Sequence, residues 1–276
     1  MQLEWTILAE RPLIFITNDD GVHSPGLLAV AAAVHDLGDV IVVAPKAQQS
    51  GMGRSLPGTM NGAIFVEELA VDGDRIRAYS VPGSPAQSVL YGILELCAAR
   101  RPDLVISGIN YGENIGTCVT ISGTVGAALQ AADMGVFGLA VSLETNHAYH
   151  NALGYDVDWR AAAHFTRLFT QLALRRELPH DVDVLKIDVP GDATPATPWR
   201  VTRQSRLPYY APQPSQRTRL EETLRLPYLV SVPSDQVEPD SDVYVFAIAR
   251  AVAVTPLSID LTSRVTLPAL EQLLRG

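Results

Sequence analysis

The stretch PLIFITNDDGVHSPG, residues 12–26, decides the fold because it joins a buried strand to a helix through a polar turn. Four apolar residues, Leu13 to Ile16, lie between a proline and that turn, which is typical of a buried strand. Ser24 and Pro25 then predict a helix start, since a serine side chain caps a first turn and proline lacks an N–H that would have no partner there. A strand that leads directly into a helix predicts an α/β fold.

The next residues extend this pattern into a βαβ unit. An apolar helical stripe ends at Gly38, and the β-branched run 39–45 predicts a second strand. Strand, helix and strand follow one another within a few tens of residues, so the two strands should be parallel with a right-handed crossover. Ser84 and Pro85 repeat the serine-proline start and predict a second helix. Further strands are predicted at 103–107, which should run into a glycine-rich loop from Gly108, and at 137–143. The fold class is therefore predicted to be α/β.

The C-terminal third has a different character, because prolines are frequent and the apolar periodicity weakens. We expect residues 191–240 to form strands and hairpins that project from the core as an oligomerisation arm of a single domain, 1–276. Tyr209, Tyr210 and Tyr228 are expected to belong to this arm rather than to a buried layer. A long strand is predicted at 244–256 and a short helix at 268–274. The prolines of the arm include Pro195, Pro198, Pro208, Pro212, Pro214 and Pro227.

Composition restricts the function classes. The chain has 276 residues, 47% of them apolar, and a net charge of −9, with its Lys and Arg residues dispersed. This argues against a groove for a nucleic-acid polymer and against an anionic membrane as partner. Cys97 and Cys118 form no CxxC pair, so neither a disulfide framework nor a zinc knuckle is indicated. Without a signal-peptide pattern or an apolar run of about 18 residues, we expect a cytoplasmic protein.

The polar turn after the first strand is the main candidate for chemistry. Ligands of open α/β sheets bind at the carboxyl ends of strands, where Asn18, Asp19 and Asp20 are expected. Two adjacent carboxylates repel each other and call for a compensating cation, and hard oxygen ligands favour Mg²⁺, Mn²⁺ or Ca²⁺. The alternative is a turn whose side chains satisfy backbone donors. A haloacid-dehalogenase-type phosphatase is disfavoured, because Asn18 and Gly21 break its Asp-x-Asp-x-Thr pattern.

Two further segments carry weaker signals. Asn110 follows another predicted strand and could supply a neutral ligand, or belong to an ordinary loop. Residues 122–126, SGTVG, begin a helix whose free N–H groups and dipole suit an anion, although simple N-capping explains them equally well. The segment lacks the Gly-Lys-Ser/Thr of a Walker loop. His147 and His150 are expected to be loop residues rather than ligands.

Taken together, five segments give the chain a recognisable pattern that covers most of its length. Their order and spacing resemble the SurE family, stationary-phase survival proteins that act as metal-dependent 5'-nucleotidases. The resemblance implies a Rossmann-like three-layer core with a mainly parallel sheet and a projecting C-terminal β-rich arm used in dimers and tetramers. The matching segments are ITNDDGVHSPG (16–26), VVAPKAQQSG (42–51), PGSPAQSV (82–89), DLVISGINYGENIG (103–116) and SGTVGAALQAA (122–132).

The resemblance also implies a site. One divalent metal ion per subunit, Mg²⁺ or Mn²⁺, would assist hydrolysis of nucleoside 5'-monophosphates, with Asp19 and Asp20 as the catalytic carboxylates. Metal ligands would be Asp19, Asp20, Ser50 and Asn110, and the phosphate would lie near Asn18, Asn110, Ser122, Gly123 and Thr124.

Residues 46–55 depart from the family pattern Asp-Arg-x-x-Ser-Gly-x-Ser-His-Ser, because Ser50 is kept while the acid and the histidine are not. This departure leaves two alternatives open. One is a broader 3'/5'-nucleotidase or exopolyphosphatase. The other is a non-catalytic nucleotide-binding regulatory protein. Separately, we expect the chain to form a homodimer or homotetramer.

Overall fold

The structure, a computed structural model, describes residues 11–58, 62–146, 156–175, 177–224, 226–233 and 235–276. The expectation for His147 and His150 lies outside these residues. Within them, nine strands form one sheet in the order β3-β4-β2-β1-β5-β6-β7-β11-β8, and a two-stranded hairpin pairs β9 with β10. The strands are β1 Leu13–Thr17, β2 Asp39–Pro45, β3 Phe65–Val71, β4 Asp74–Val81, β5 Leu104–Tyr111, β6 Gly138–Leu143, β7 Val184–Val189, β8 Trp199–Val201, β9 Tyr210–Pro212, β10 Tyr228–Val230 and β11 Val252–Leu257.

The centre of the sheet is parallel, from β4 through β2, β1, β5 and β6 to β7. Antiparallel pairs occur toward the edges, where β3 pairs with β4 and β11 with β7. The central strands are buried on both faces, as β5 and β6 show by being buried at every residue. This is the arrangement expected of strands connected by crossover helices, and it confirms the predicted α/β class.

Helices cover both faces of the sheet and make three layers. Helices α1 (Pro25–Val34) and α4 (Arg160–Arg175) pack on one face, and α2 (Pro85–Tyr91) and α3 (Gly123–Asp133) on the other. The serines predicted to begin α1 and α2 do so: the Ser24 hydroxyl accepts from Leu27 N at 3.3 Å, and that of Ser84 from Gln87 N at 3.1 Å. A π-helical turn, Gly92–Leu96, continues α2.

Two predicted element boundaries are wrong. Strand β5 continues through Asn110 to Tyr111, where a loop was expected from Gly108. Residues Tyr244–Ile248 form a π-helical turn rather than the start of a strand. The Ser241 hydroxyl caps the N–H of Tyr244 at 3.2 Å and begins that turn. The turn ends near Arg250, whose φ of 51° is the left-handed conformation that stops a helix.

The predicted arm divides into two parts. Strand β8 extends the main sheet beside β11. Tyr209 was expected outside the core, but it is buried in a cluster with Phe246 and Val243, so that expectation is wrong. The β9–β10 hairpin lies further out, and Tyr228 on it is exposed. Tyr209 is buried because the π-helical turn after Ser241 brings Phe246 against it, with ring centroids 6.4 Å apart.

A buried ionic cluster connects the C-terminal segment to the sheet. The Lys186 ammonium on β7 pairs with Asp188 and, at 3.2 Å, with Asp242, and all three side chains are fully buried. Asp242 also accepts from Ser205 N at 2.8 Å, and Asp188 from Asn114 N at 2.8 Å. One lysine therefore compensates two carboxylates that hold separate segments of the chain.

Replacing Lys186 by methionine should destabilise the protein by about 3–5 kcal/mol, because it leaves buried carboxylates without their cation. Denaturant unfolding monitored by circular dichroism gives the free energy of unfolding. The matched control is Arg203→Met, which removes an exposed ion pair with Asp240 (2.8 Å) and should cost no more than about 1 kcal/mol. Equal costs for the two variants would show that the cluster does not carry this stability.

Candidate functional site

The candidate site lies at the carboxyl end of β1, in the middle of the sheet. Strand β1 has β2 on one side and β5 on the other, and the chain builds β2 and β4 before it returns to β5. This reversal of direction creates a crevice at the strand ends, where open α/β sheets bind ligands. Asp19 and Asp20 follow the last residue of β1 directly into this crevice.

Asp19 is buried, and the first turn of α3 binds it. The hydroxyl of Thr124 donates to Asp19 Oδ1 at 2.6 Å. Gly123 lies so close that a Cβ on it would be 2.7 Å from Asp19 Cβ and 2.8 Å from Asp19 Oδ2. Burial raises the pKa of Asp19 to about 6, although the hydrogen bonds from Thr124 act in the opposite direction.

Asp20 lies beside Asp19 and is equally buried. Its Oδ2 accepts from the backbone N–H of Tyr111 at 3.3 Å, and its Oδ1 accepts from Gln48 Nε2 at 3.2 Å. Burial raises the pKa of Asp20 well above 3.8, and the charge of Asp19 raises it further. All these contacts are neutral, so they do not cancel the negative charge of the two carboxylates.

The side-chain NH₂ group of Asn110, at the end of β5, binds carbonyls of the residues that follow it. Its Nδ2 donates to Gly112 O at 2.7 Å and to Tyr111 O at 3.3 Å. The amide oxygen Oδ1 is therefore the atom that can act as a ligand. Because Tyr111 N binds Asp20, the backbone of Asn110 lies one residue from a contact with the carboxylate pair, and its role as a ligand stays a prediction.

Asn18 is bound within the turn itself. Its Nδ2 donates to Ser24 Oγ at 2.6 Å and to Gly21 O at 3.0 Å, and its Oδ1 accepts from Gly21 N at 3.1 Å. These bonds give Asn18 a structural role in presenting the two aspartates. Its expected contact with phosphate stays a prediction.

The predicted phosphate segment begins α3 next to Asp19. The Ser122 hydroxyl caps the helix by accepting from Val125 N at 3.1 Å. An α-helix leaves its first N–H groups without intrahelical partners, and its dipole favours an anion at this end. Ser122, Gly123 and Thr124 are thus brought together with Asp19, although the Thr124 hydroxyl is occupied by that carboxylate.

Ser50 is exposed and follows a residue whose backbone contacts the site, so its role as a ligand stays a prediction. The N–H of Gln49 donates to Asp19 O at 2.7 Å. Ser50 follows on the exposed side of the loop. The structure thus brings the Ser50 segment beside Asp19.

Two contributors were not predicted from the sequence, Gln48 and the backbone N–H of Tyr111, both of which bind Asp20. Gln48 follows β2, the parallel neighbour of β1, so its position could have been inferred from the strand order. The contact of Tyr111 depends on β5 extending beyond its predicted end, for which the residue pattern gave no signal.

The donor set fits a divalent cation. Among the described residues, no group of three or more His, Cys, Asp or Glu side chains is placed to hold a metal ion. The candidate ligands are instead two carboxylates completed by an amide and a hydroxyl, all hard oxygen donors of the kind that Mg²⁺ and Mn²⁺ prefer. The two crowded carboxylates supply the negative charge that such a cation would neutralise.

The chain is similar to known proteins along most of its length. The family model described as Survival protein SurE matches residues 14–211. A 5'-nucleotidase SurE from Thermococcus gammatolerans is 39% identical over 264 residues, covering 95% of this chain and 96% of the relative. A 5'-nucleotidase SurE from Methanothermobacter thermautotrophicus is 47% identical over 182 residues, which cover 64% of this chain and 68% of the relative.

Among solved structures, the SurE protein from Aquifex aeolicus is similar to this chain. The two superimpose with a TM-score of 0.74 at 27% sequence identity, and the match covers 95% of this chain and 99% of the other. The architecture described above is therefore shared along nearly the whole length of both chains.

Asp20→Asn should raise the thermal unfolding midpoint of the metal-free protein at pH 8, because it removes one of two buried like charges. The gain should shrink as the pH falls toward 3.8, since the folded protein keeps a proton on Asp20 at pH values where the unfolded chain has lost it. Scanning calorimetry in EDTA measures both.

The control for this prediction is Asp74→Asn, which removes an exposed carboxylate on β4. It should leave the midpoint within about 1 °C, because surface substitutions cost little. A lower midpoint for Asp20→Asn than for the wild type at pH 8 would contradict the view that the pair is destabilising without a cation.

Proposed function

The chain belongs to the Survival protein SurE family and is a 5'-nucleotidase, and on that premise we propose that it hydrolyses nucleoside 5'-monophosphates with one divalent cation per subunit. The observation that carries the proposal is the buried pair Asp19 and Asp20, which only neutral donors contact among the described residues. Asn110 and Ser50 complete the proposed ligand set. Mg²⁺ and Mn²⁺ are the candidates, because all four ligands are oxygen donors.

The cation, when bound, supplies Lewis acidity toward a phosphoryl oxygen and toward the attacking water. The chain's own residues position and balance this chemistry. Thr124 fixes the rotation of the Asp19 carboxyl group and Gln48 that of the Asp20 carboxyl group through their hydrogen bonds. Each carboxyl group keeps further oxygen lone pairs for the cation. Asp19 or Asp20 accepts the proton that the water releases.

The start of α3 is the proposed seat of the phosphate. Charge develops on the phosphoryl oxygens as the leaving group departs, and N–H groups at a helix start stabilise it. Gly123 allows the start of α3, and with it the proposed phosphate seat, to approach Asp19 closely, because a side chain there would overlap that residue. Ser122 and Thr124 hold the turn in place on either side of this glycine.

A non-catalytic nucleotide-binding protein is the alternative from another class, and the altered 46–55 loop is its motivation. The contacts of that loop argue against this alternative. The Gln48 amide donates to the Asp20 carboxylate and the Gln49 N–H donates to the Asp19 carbonyl, even though the family's acid and histidine are absent. A broader 3'/5'-nucleotidase or exopolyphosphatase would use the same site and differ only in its substrates.

Phosphate release from a panel of 5'- and 3'-nucleotides and short polyphosphates should be fastest for a 5'-monophosphate. It should fall to background in EDTA and return when Mn²⁺ or Mg²⁺ is added. Colorimetric detection of phosphate measures this. Full activity in EDTA would rule out the metal, and saturable nucleotide binding without turnover in Mn²⁺ would favour the non-catalytic alternative.

Asp19→Asn in the same assay should lower kcat by about 100-fold or more, since even residues behind metal ligands contribute 10–100-fold. Its circular dichroism spectrum should match that of the wild type. An Asp19→Asn protein with normal kcat would contradict the ligand assignment.

The proposal extends to a homodimer or homotetramer in the cytoplasm. Outside the core, Leu229 on the β9–β10 hairpin and Leu273 on the final helix α5 (Leu267–Arg275) are exposed. The segment 200–225 is basic, with six arginines against two glutamates, in a chain of net charge −9. The whole arm, 191–240, has six arginines and six acidic residues, so it is the 200–225 segment alone that favours contact with the acidic body of another copy. None of the described helices has the length and apolar character of a membrane span.

Sedimentation velocity should show a dimer or tetramer for the wild type. Leu229→Arg should shift the protein toward monomer, because it places a charge in the proposed interface. Leu94→Arg, an equally exposed leucine on the π-helical turn after α2, is the matched control and should not change the assembly. A monomeric wild type would contradict the proposal.

A further inference from the structure

The 46–55 loop is fixed to the site on the amino-terminal side of Ser50. Lys46 N donates to Val81 O at 2.8 Å, where β2 ends beside β4. Gln48 and Gln49 then bind the two aspartates. These contacts hold the start of the loop, but they leave the position of Ser50 dependent on what fixes the residues after it.

Beyond Ser50 the backbone is adaptable. Gly51 has a φ of +77°, and no atom of the described residues lies within 4 Å of the point that a Cβ on it would occupy. Gly53 has a φ of +54°. Glycines of this kind give a loop many alternative conformations.

Backbone contacts hold Gly53 itself. The N–H of Gly53 donates to Ile121 O at 3.0 Å, and the Gly53 carbonyl lies so close to Gly126 of α3 that a methyl group on Gly126 would overlap it.

Arg54 adds the charged contact between this part of the loop and α3. Its Nε donates to Gln130 Oε1 at 3.0 Å, and its guanidinium pairs with Asp133 at 2.7 Å. Gln130 is buried, which makes its hydrogen bond to a charged donor stronger than one in water. Asp133 is the last residue of α3, where the helix dipole disfavours a carboxylate, so the guanidinium also compensates this unfavourable position.

We propose that Arg54 is a positioning residue of the metal site: it fastens the 46–55 loop to α3 and thereby holds Ser50 at the carboxylate pair before the cation binds. This inference rests on the proposed function, in which Ser50 is a metal ligand. The same helix carries the phosphate seat at its start, so one rigid element orients the aspartate, the loop and the phosphate. Arg54 binds α3 near its carboxyl end, whereas Asp19 lies at the start of this helix. Arg54 therefore does not touch the reacting atoms and acts through Ser50.

The physical reason is preorganisation. A loop that is already ordered loses little conformational freedom when a ligand binds, whereas a mobile loop must be ordered at the expense of binding free energy. Without Arg54, only the backbone contacts of Gly53 with Ile121 and Gly126 would hold this part of the loop to α3, and the open backbone at Gly51 would let Ser50 move away from the carboxylate pair. The cation would then bind to two carboxylates and one amide, and its affinity would fall.

The experiment compares Arg54→Ala, Arg54→Lys and Arg75→Ala with the wild type. Arg75 forms an exposed pair with Glu68 at 2.7 Å on the β3–β4 hairpin and serves as the matched control. Mn²⁺ affinity is measured by electron paramagnetic resonance titration of the metal-free proteins. Arg54→Ala should weaken binding about tenfold, near the lower end of what losing one charged hydrogen bond costs. Its circular dichroism spectrum should match that of the wild type, although its unfolding midpoint should fall because the buried Gln130 oxygen loses a donor.

Arg54→Lys should give an intermediate affinity, because lysine can pair with Asp133 but lacks the fork that also binds Gln130. A second readout needs no metal: a nitroxide attached through Met52→Cys should become more mobile in the Arg54→Ala background and not in the Arg75→Ala background. Cys97 and Cys118 are buried, which favours labelling at position 52.

Equal Mn²⁺ affinity and equal label mobility in the Arg54→Ala and Arg75→Ala proteins would overturn the inference. Failure of the proposed function gives a different result. A wild type that neither binds Mn²⁺ nor releases phosphate would contradict the metal site. In that case the nitroxide comparison still decides whether Arg54 orders the loop.

Discussion

Two carboxyl groups held side by side in a buried crevice are the constraint on which this structure depends. Asp19 and Asp20 follow the central strand of the sheet, and both burial and mutual repulsion oppose their ionisation. Three separate elements turn toward them: the first turn of α3 through Thr124, the end of β5 through Tyr111 N, and the loop after β2 through Gln48. The strand order makes these contacts possible, because β2 and β5 are the two neighbours of β1. The result is an arrangement that orients two anions without neutralising them.

The same chain shows how it treats buried carboxylates that have a purely structural task. Asp188 and Asp242 are also fully buried, but Lys186 lies between them and pairs with both. Each of those carboxylates then accepts backbone N–H groups and holds segments of the chain together. The pair at the end of β1 has hydrogen-bond donors but, among the described residues, no such cation. This contrast within one molecule indicates that the charge of Asp19 and Asp20 serves to bind a ligand. A divalent cation is the ligand that fits two carboxylates, an amide and a hydroxyl.

Much of the fold could be predicted from the sequence where the signals are local. Apolar runs gave β1 and β2, and the Ser-Pro pairs at Ser24 and Ser84 gave the starts of α1 and α2, because a cap and its helix are adjacent in the chain. The burial of Tyr209 could not be predicted, since it depends on Phe246 arriving from a distant segment. The π-helical turn after Ser241 was missed because its alternating apolar residues also suit a strand, and side-chain caps decided the outcome. The residues proposed for the site were identified by motif, whereas the contacts of Gln48 and Tyr111 required the strand order and the true end of β5.

In the proposed function, one divalent cation would neutralise the Asp19–Asp20 pair. The most direct measurement is anomalous diffraction at the manganese edge from crystals of the wild-type protein grown with Mn²⁺. We expect one peak per subunit within about 2–2.6 Å of oxygens from both carboxylates, with Asn110 Oδ1 and Ser50 Oγ as further ligands. A protein that hydrolyses a nucleoside 5'-monophosphate while its manganese lies elsewhere, or while the two carboxylates share a proton with no metal between them, would contradict the account.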